Sequence, residues 1–287
     1  YEQCNLPVLE KLRDFLGRGY NTGYGDELFR IGPFKVISDG ALGARTAYLR
    51  EPYTDVPTTR GIPFFSQEEL DALILEAHRA GMQIAIHAIG DAGMDMVMNA
   101  IEKARRQYPR TGERHGIIHC QITHHDQLDR MKAMDLIAYI QPIFLNYDIS
   151  IIDDRIGAQR ASTSYNWKEF LDKEIPISGG SDCPVESLDI MDNIYAAVTR
   201  KTLAGQPDGG WRPDQCITVE QALESFTMGG AYASFSEDRK GSITPGKVAD
   251  FAVLSADLFA VAPDAIKDID VLQTYLSGEL VFDRAAQ

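Results

Sequence analysis

Four polar residues stand within or just beyond short apolar runs that are far apart in the sequence. Lys35 lies inside such a run, His87 and His119 each close one, and Asp182 follows a fourth. Imidazole nitrogens and carboxylate oxygens are ligands that zinc and similar divalent ions accept. A lysine among apolar residues is costly unless it is paired or modified. The set therefore predicts one site for a divalent metal, built from separate segments.

Each of these residues also has an ordinary structural interpretation. A histidine at a strand end is commonly a hydrogen-bonded core residue, Lys35 could face water on an edge strand, and Asp182 could cap the next helix. Several such coincidences at the same relative position are less expected than one shared site, so we favour the site. The other histidines are interpreted as structural: His78, on the solvent side of a helix, His115, His124 and His125.

Strands and helices must alternate along the chain to position these residues. Apolar strand-like runs and helical patterns predict five consecutive strand–helix units between about residues 34 and 200, which is typical of a parallel sheet covered by helices. Five units suit a doubly wound sheet or most of a (β/α)8 barrel. In both folds the chemistry lies beyond the carboxyl ends of the strands. Two capping boxes, Ser66-x-x-Glu69 and Thr218-x-x-Gln221, predict helix starts.

The pattern changes after Gly241. The segments GSITPGKVADFAVLSAD and VLQTYLSGELVFD have the character of short strands joined by Gly and Pro turns. We therefore predict a barrel portion over residues 1–240 and part of a small β-domain over residues 241–287.

Composition excludes several classes of protein. The 287 residues are 44% hydrophobic and 24% charged, as in globular proteins. The 28 Lys and Arg against 42 Asp and Glu give a net charge of −14, which argues against a nucleic-acid partner because such a surface repels phosphates. No apolar run approaches the roughly 18 residues that a membrane span requires. We expect neither nucleic acid nor membrane as a partner.

The cysteines and the first residues suggest a compartment and an origin. Cys4, Cys120, Cys183 and Cys216 form no CxxC pair, which argues against a disulfide framework or a thiolate zinc site and favours a reducing compartment, the cytoplasm. The chain starts at Tyr1 inside a helical pattern, with no visible signal peptide. This start predicts a piece of a longer protein.

Several segments, taken in order, resemble a known family. They are FKVISDGALGARTA, IAIHAIGDAG, IIHCQITHHDQLDRM, YIQPIF, PISGGSDCPVES and GSITPGKVADFAVLSAD. They resemble the amidohydrolase superfamily, and within it the long amidohydrolases related to N-substituted formamide deformylase, from about Gly32 to Phe282. The resemblance implies a distorted (β/α)8 barrel with a metal centre, of which this chain holds strands four to eight, and a small β-sandwich built from both chain ends.

The resemblance also implies a role for each candidate. Lys35 matches the fourth-strand lysine, which is often carboxylated and bridges two metals. His87 and His119 match the fifth- and sixth-strand ligands, and Asp182 matches the eighth-strand aspartate, which binds metal and is the general base. One or two divalent ions, with zinc favoured, would then activate water to hydrolyse a carbon–nitrogen bond in a small amide-type substrate.

Two further residues receive roles in this scheme. Asp91, shortly after His87, could orient that histidine from behind, although it could equally cap the following helix. Arg45 lies in the long loop from Asp39 to Phe65, a candidate substrate-facing surface, and could grip a substrate carboxylate or make an ordinary ion pair.

The chain departs from the family pattern in more than one respect. The first-strand His-x-His pair has no match, because no HxH occurs in these 287 residues, and strands one to three have no counterpart. We therefore expect a truncated or naturally short chain that is a poor hydrolase alone, while the full-length protein is metal-dependent. Open sheet edges also predict a partner or a homo-oligomer.

Three rival hypotheses remain open. The chain could be an inert, scaffold-like relative, as the missing HxH suggests, or a mononuclear deaminase-type member with an unmodified Lys35. A doubly wound nucleotide-binding protein is disfavoured, because no GxGxxG follows a strand and no P-loop occurs.

Overall fold

The computed structural model of the chain describes residues 7–286, which divide into two compact units. Unit 1 comprises the described residues up to Ala138 together with Ile152–Tyr165 and Lys173–Ile175. Unit 2 comprises Tyr139–Ile151, Asn166–Asp172 and the described residues from Pro176 onward. The boundary predicted near residue 240 separates two continuous segments, whereas each of the two compact units contains several separate segments. The predicted boundary therefore stays a prediction.

Helices and strands alternate through most of the chain. In chain order they are α1 (Pro7–Gly17), β1 (Phe34–Ile37), α2 (Gln67–Arg79), β2 (Ile84–Ala88), α3 (Asp91–Gln107), β3 (Gly116–His119), α4 (His125–Ala133), β4 (Ile137–Ile140), α5 (Leu145–Asp148), α6 (Ile152–Ala161), α7 (Trp167–Asp172), β5 (Ile177–Gly179), α8 (Ile190–Thr199), α9 (Val219–Phe226), α10 (Met228–Ala233), β6 (Phe251–Leu254), β7 (Val271–Leu276) and β8 (Glu279–Asp283). The helix predicted over the first residues is described only from Pro7, and residues 1–6 lie outside the described part.

The strands form the two sheets expected of the α/β architecture. A five-stranded sheet has the order β1-β2-β3-β4-β5, and its β1–β2 and β2–β3 pairs are parallel. A second, three-stranded sheet has the order β6-β7-β8 with antiparallel pairing. The predicted parallel sheet and small C-terminal sheet are confirmed. A partner at a sheet edge stays a prediction.

Local sequence signals account for how several elements begin. Both predicted capping boxes are present: Ser66 accepts from the Glu69 amide at the start of α2, and Thr218 accepts from Gln221 at the start of α9. The apolar residues that recur at helical spacing on α2 are buried, namely Leu70, Leu73, Ile74 and Ala77. Burial along β2 matches a parallel strand covered on both faces, since Ile84, Ala85 and Ile86 are all buried.

One region differs from the sequence prediction. The sequence pattern predicts a helix near Ser164–Asp172. The structure begins α7 only at Trp167, because Ser164 pairs with Ile122 in an antiparallel bridge and the Tyr165 amide donates to the Gln121 carbonyl. The helices α5 and α6 lie in a stretch for which the sequence pattern predicts no helix.

Within residues 7–286, no helix combines the length and the apolar character needed to cross a bilayer.

Candidate metal centre

Two of the candidate ligands meet within unit 1, at the carboxyl ends of β2 and β3. The ring centroids of His87 and His119 are 4.4 Å apart, and the rings lie edge to face at 77°. His119 is buried with 4% of its surface exposed, and the His87 side chain is 14% exposed. The structure therefore brings these two of the four candidate ligands together.

Strand register alone would not bring these rings together. His87 pairs with Ile118, and His119 pairs with Ala88, so simple alternation would direct the two histidines to opposite faces. At His119, however, φ is +79°, which takes the chain out of the extended conformation as the strand ends. Positive φ is uncommon for a residue other than glycine and costs free energy, and such strain is found preferentially at functional sites.

Hydrogen bonding fixes the tautomer of His87. Its Nε2 lies 3.0 Å from the carbonyl oxygen of Gly40. A carbonyl oxygen can only accept, so Nε2 carries a proton, and in the neutral imidazole Nδ1 keeps its lone pair. His87 can therefore offer Nδ1, but not Nε2, to a metal ion or a proton.

Lys35 lies on the same face of the sheet as His87, one pleat earlier. The register pairs Lys35 with Ala85 and Ile37 with His87, so the two candidates are about 7 Å apart along the strand direction. Lys35 is exposed, and β1 is the first strand in the sheet order. Exposure lowers the cost of an ordinary ammonium group, so the carboxylation of Lys35 remains a prediction.

Asp182 belongs to unit 2 and lies shortly after the end of β5. It is half-buried, and its backbone is in the left-handed region with φ at +58°. Its carbonyl oxygen accepts from the Val185 amide, which closes a turn directly after it. Asp182 and His119 thus share the same feature, a strained backbone just where a strand of the sheet has ended.

Asp91 does not contact His87, contrary to the role first assigned to it. Its Oδ1 accepts from the amides of Arg50 at 2.8 Å and Ala92 at 2.9 Å, and its Oδ2 lies 2.9 Å from Nε2 of His124. Asp91 is the first residue of α3, whose N-cap is Gly90 with no side-chain cap, so the alternative capping role is not seen either. Its carboxylate instead joins α3 to the long loop and to α4. The carboxylate beside His87 is that of Asp39, which the sequence analysis did not single out: its Oδ1 is 3.3 Å from Nε2.

Arg45 is engaged within the long loop of unit 1. Its guanidinium binds both carboxylate oxygens of Asp55, the shortest contact being 2.7 Å from Nη2 to Oδ2. Arg155 also donates to Asp55, and these hydrogen bonds, that of Arg45 first, lower the pKa of the Asp55 carboxyl. The structure thus shows the ion pair that was the alternative for Arg45, and a contact with substrate stays a prediction.

A second pair of histidines lies at the opposite, amino-terminal ends of β2 and β3. The prediction that His78 faces solvent is wrong, because His78 and His115 are both fully buried. The Ile84 amide donates to Nδ1 of His115, whose Nε2 lies 2.9 Å from Nδ1 of His78, and Nε2 of His78 lies 2.7 Å from the Tyr108 carbonyl oxygen. One arrangement of protons satisfies every nitrogen: both imidazoles are neutral, and each donates through Nε2.

This histidine pair has side chains of the types that bind metals, but its hydrogen bonds leave no ring nitrogen with a free lone pair. Possible ligand atoms of His78, Glu113 and His115 all lie within 4.8 Å of one another. Binding through Nε2 of His115 would require that nitrogen to lose its proton while Nδ1 still accepts from Ile84, which is an imidazolate. Glu113 is occupied by Arg105, at 2.9 Å from Nε to Oε1. The hydrogen bonds therefore favour a structural role.

The buried pair predicts that acid destabilises unit 1. Burial, and secondarily His78, lowers the pKa of His115 from the ordinary 6.5 to about 2, and burial also lowers the pKa of His78. Below pH 6.5 the unfolded chain therefore binds protons that the folded chain excludes, so stability is complete above pH 6.5 and falls as pH falls. From pH 6.5 to 5.0, before most carboxylates titrate, His115 alone should cost about 2 kcal/mol.

Urea unfolding at a series of pH values measures this loss. His115→Gln keeps a hydrogen-bonding side chain that does not titrate, so this variant should show a flatter dependence on pH over the same range. Equal slopes for the variant and the parent protein would contradict the assignment of the acid sensitivity to this pair.

Comparison with known proteins identifies the family of this chain. A sequence profile of the amidohydrolase family matches residues 4–282. The YtcJ amidohydrolase of Bacillus subtilis is 37% identical over 255 residues, which cover 89% of this chain and 48% of that protein. N-substituted formamide deformylase of Arthrobacter pascens is 28% identical over 258 residues, covering 90% of this chain and 46% of that enzyme.

Solved structures agree with the sequence matches. An uncharacterized metal-dependent hydrolase from Pyrococcus horikoshii superposes with a TM-score of 0.78 at 31% identity, covering 89% of this chain and 50% of that one. The chain thus spans about half the length of the relatives it matches. By the extent of the profile match and by its relatives, this chain belongs to the amidohydrolase family.

Proposed function

We propose that this chain contributes the later metal-binding strands of a hydrolase that cleaves carbon–nitrogen bonds in small amide-type molecules. The observation that carries the proposal is the pair of imidazoles at the ends of β2 and β3, with ring centroids 4.4 Å apart. His87 offers the unprotonated Nδ1, and neutral imidazole nitrogen is a common ligand of divalent ions. The donor set therefore fits a metal of the zinc type.

The proposed centre joins Lys35, His87, His119 and Asp182 around one or two divalent ions, with zinc favoured. When bound, such an ion supplies Lewis acidity and a water molecule whose pKa is near neutral. Lys35 would contribute as a carbamate, because an ammonium group has no lone pair to donate. The positions of His87, His119 and Asp182 at or shortly after strand ends, and the family to which the chain belongs, support the assignment.

Within this centre the protein performs the proton transfers. The Asp182 carboxylate takes a proton from the attacking water and delivers it to the leaving nitrogen, which is general base and then general acid catalysis. His87 is held in one tautomer, so it need not reorganise during the reaction. The long loop from Asp39 to Phe65, braced by Arg45 and Asp55, would line the approach to the substrate.

Two relatives support the reaction class. The structural relative from Pyrococcus horikoshii is described as a metal-dependent hydrolase, and the Arthrobacter pascens relative as an N-substituted formamide deformylase. We also propose a reducing compartment such as the cytoplasm, because each described cysteine is a free thiol, namely Cys120, Cys183 and Cys216.

An inert, scaffold-like relative is the second candidate, because the sequence contains no HxH pair. Zinc analysis and hydrolysis of a panel of N-formyl and N-acyl amides by the complete natural protein distinguish the two. We expect bound metal and hydrolysis that a chelator abolishes. Neither metal nor hydrolysis across the panel would favour the scaffold.

Variants identify which histidines hold the metal. His87→Ala and His119→Ala should each weaken zinc binding at least about tenfold, as removal of even an outer partner of a ligand does. His125→Ala removes an exposed imidazole at the start of α4 and should leave the affinity unchanged. Competition with a chromophoric chelator gives the affinities, and equal values for all variants would contradict the proposed ligands.

A further inference from the structure

We propose that Asp39 is the positioning residue of the candidate site. Together with the Gly40 carbonyl it biases His87 toward one tautomer, and the same carboxylate holds the long loop in place. The contribution of Asp39 to catalysis rests on the proposed function, whereas the contacts of its carboxylate do not. Asp39 is fully buried, and it lies directly after the segment that contains β1.

Four donors surround the Asp39 carboxylate. Its Oδ1 accepts from the Ile89 amide at 3.1 Å and lies 3.3 Å from Nε2 of His87. Its Oδ2 accepts from the amides of Gly90 and Tyr48, both at 2.8 Å. A buried carboxylate is tolerated only when its oxygens are satisfied in this way. Asp39 therefore joins the strand end, the turn after β2 and the long loop.

Two neighbouring oxygens face the same nitrogen of His87. The Gly40 carbonyl oxygen is 3.0 Å from Nε2, and the Asp39 Oδ1 is 3.3 Å from it. The tautomer with the proton on Nδ1 would lose the hydrogen bond to the Gly40 carbonyl and would turn a lone pair toward both oxygens, one of them on the Asp39 carboxylate. Asp39 thus biases His87 toward the form whose Nδ1 can hold a metal.

Small residues let the long loop close onto this carboxylate. A Cβ at Gly93 would come within 2.8 Å of Asp39 Oδ2, and a Cβ at Gly90 would come within 2.0 Å of the Tyr48 carbonyl oxygen. That carbonyl oxygen accepts from the Gly93 amide at 3.1 Å, beside the bond from the Tyr48 amide to Asp39. The Asp39 carboxylate therefore holds the long loop in place and also orients His87.

Asparagine cannot reproduce these contacts. Its single oxygen can face one pair of donors, and its NH2 group must then face the other pair. If the NH2 group faces His87, it favours the tautomer in which Nε2 accepts and Nδ1 carries the proton. If it faces Gly90 and Tyr48, it opposes two amide donors and loosens the loop. The first arrangement is the expected one, because the Gly90 and Tyr48 amides both lie at 2.8 Å whereas Ile89 and His87 lie at 3.1 and 3.3 Å. The tautomer of His87 is therefore the property to measure.

The test reads the tautomer directly. Two-bond ¹H–¹⁵N spectra of the metal-free protein, with ¹⁵N-labelled histidine at pH 8, identify the protonated nitrogen of each imidazole, and His87→Gln assigns the His87 signals. The parent protein should show a protonated Nε2 and a bare Nδ1 at His87. Asp39→Asn should shift His87 toward the Nδ1-protonated form and weaken zinc binding about 10–100-fold.

Two further variants complete the test. Asp55→Asn changes a carboxylate in the same loop that binds Arg45 and Arg155 rather than His87, so it should leave the tautomer unchanged. Asp39→Glu keeps the charge, so a larger fraction of His87 should be protonated at Nε2 in this variant than in Asp39→Asn.

The spectrum of the parent protein tests the proposed tautomer even if a variant does not fold. A protonated Nδ1 at His87 in that spectrum, or an unchanged tautomer in Asp39→Asn, would overturn the proposal. Absence of metal binding in a protein that shows the expected tautomer would instead count against the proposed function alone.

Discussion

Asp182→Asn is expected to lower kcat of the proposed hydrolase by roughly 10³-fold, because proton transfer by a positioned carboxylate contributes 10²- to 10⁴-fold. An amide oxygen can still approach a metal, but it cannot accept the proton of the attacking water at neutral pH. Substrate binding depends on other groups, so KM should change much less than kcat. The measurement is steady-state hydrolysis of the best amide substrate from the panel, across a range of pH.

Asp189→Asn provides the matched control for this prediction. Asp189 lies in the same segment of unit 2 and caps α8, where its side chain accepts from the Met191 amide at 2.9 Å. Asparagine caps helices as well as aspartate does, so this variant should keep the parent rate. If Asp182→Asn stayed within tenfold of the parent, or if both variants lost activity equally, Asp182 would not be the general base.

Gly90→Ala is expected to destabilise the protein by about 3 kcal/mol or more, at the upper end of the cost of overpacking. The backbone at Gly90 has φ −81° and ψ 147°, which alanine adopts readily, so the cost is one of contact rather than conformation. The added methyl group would lie 2.0 Å from the Tyr48 carbonyl oxygen. The loop must then move, and the bonds that Asp39 accepts from Gly90 and Tyr48 are lost or strained.

Gly32→Ala is the control for Gly90→Ala. A Cβ at Gly32 meets no atom within 4 Å, and the residue does not have positive φ. Urea unfolding of both variants at pH 7.5 gives the free energies of unfolding. We expect a near-parental midpoint for Gly32→Ala, and the same midpoint for Gly90→Ala would show that the loop does not seat against the turn after β2 as described.

The sequence determined the elements and the family. Apolar runs and capping boxes act over a few residues, so the starts of α2 and α9 and the strands β1 to β3 could be placed without a structure. The positions of His87 and His119 at strand ends followed from the same runs, and the residue motifs identified the amidohydrolase resemblance that the comparisons confirm.

Tertiary structure decided which groups touch one another. Asp39 and Asp91 are both acidic and both close in sequence to a candidate strand, yet Asp39 lies beside His87 and Asp91 lies beside His124. His78 was expected at the surface, but it is buried against His115, whose residue number differs by 37. Periodicity tells which face of a helix is apolar, and it does not tell which distant segment will cover a polar residue on that helix.

The contact between His87 and His119 also depends partly on local sequence and partly on tertiary structure. Sequence places each at the end of a parallel strand, but register and alternation would turn them to opposite faces. The rings approach because His119 adopts positive φ, a conformation that costs free energy and is not a preference of histidine. Packing of the surrounding fold must supply that free energy, which is why local sequence could indicate the residues and only tertiary structure could join them.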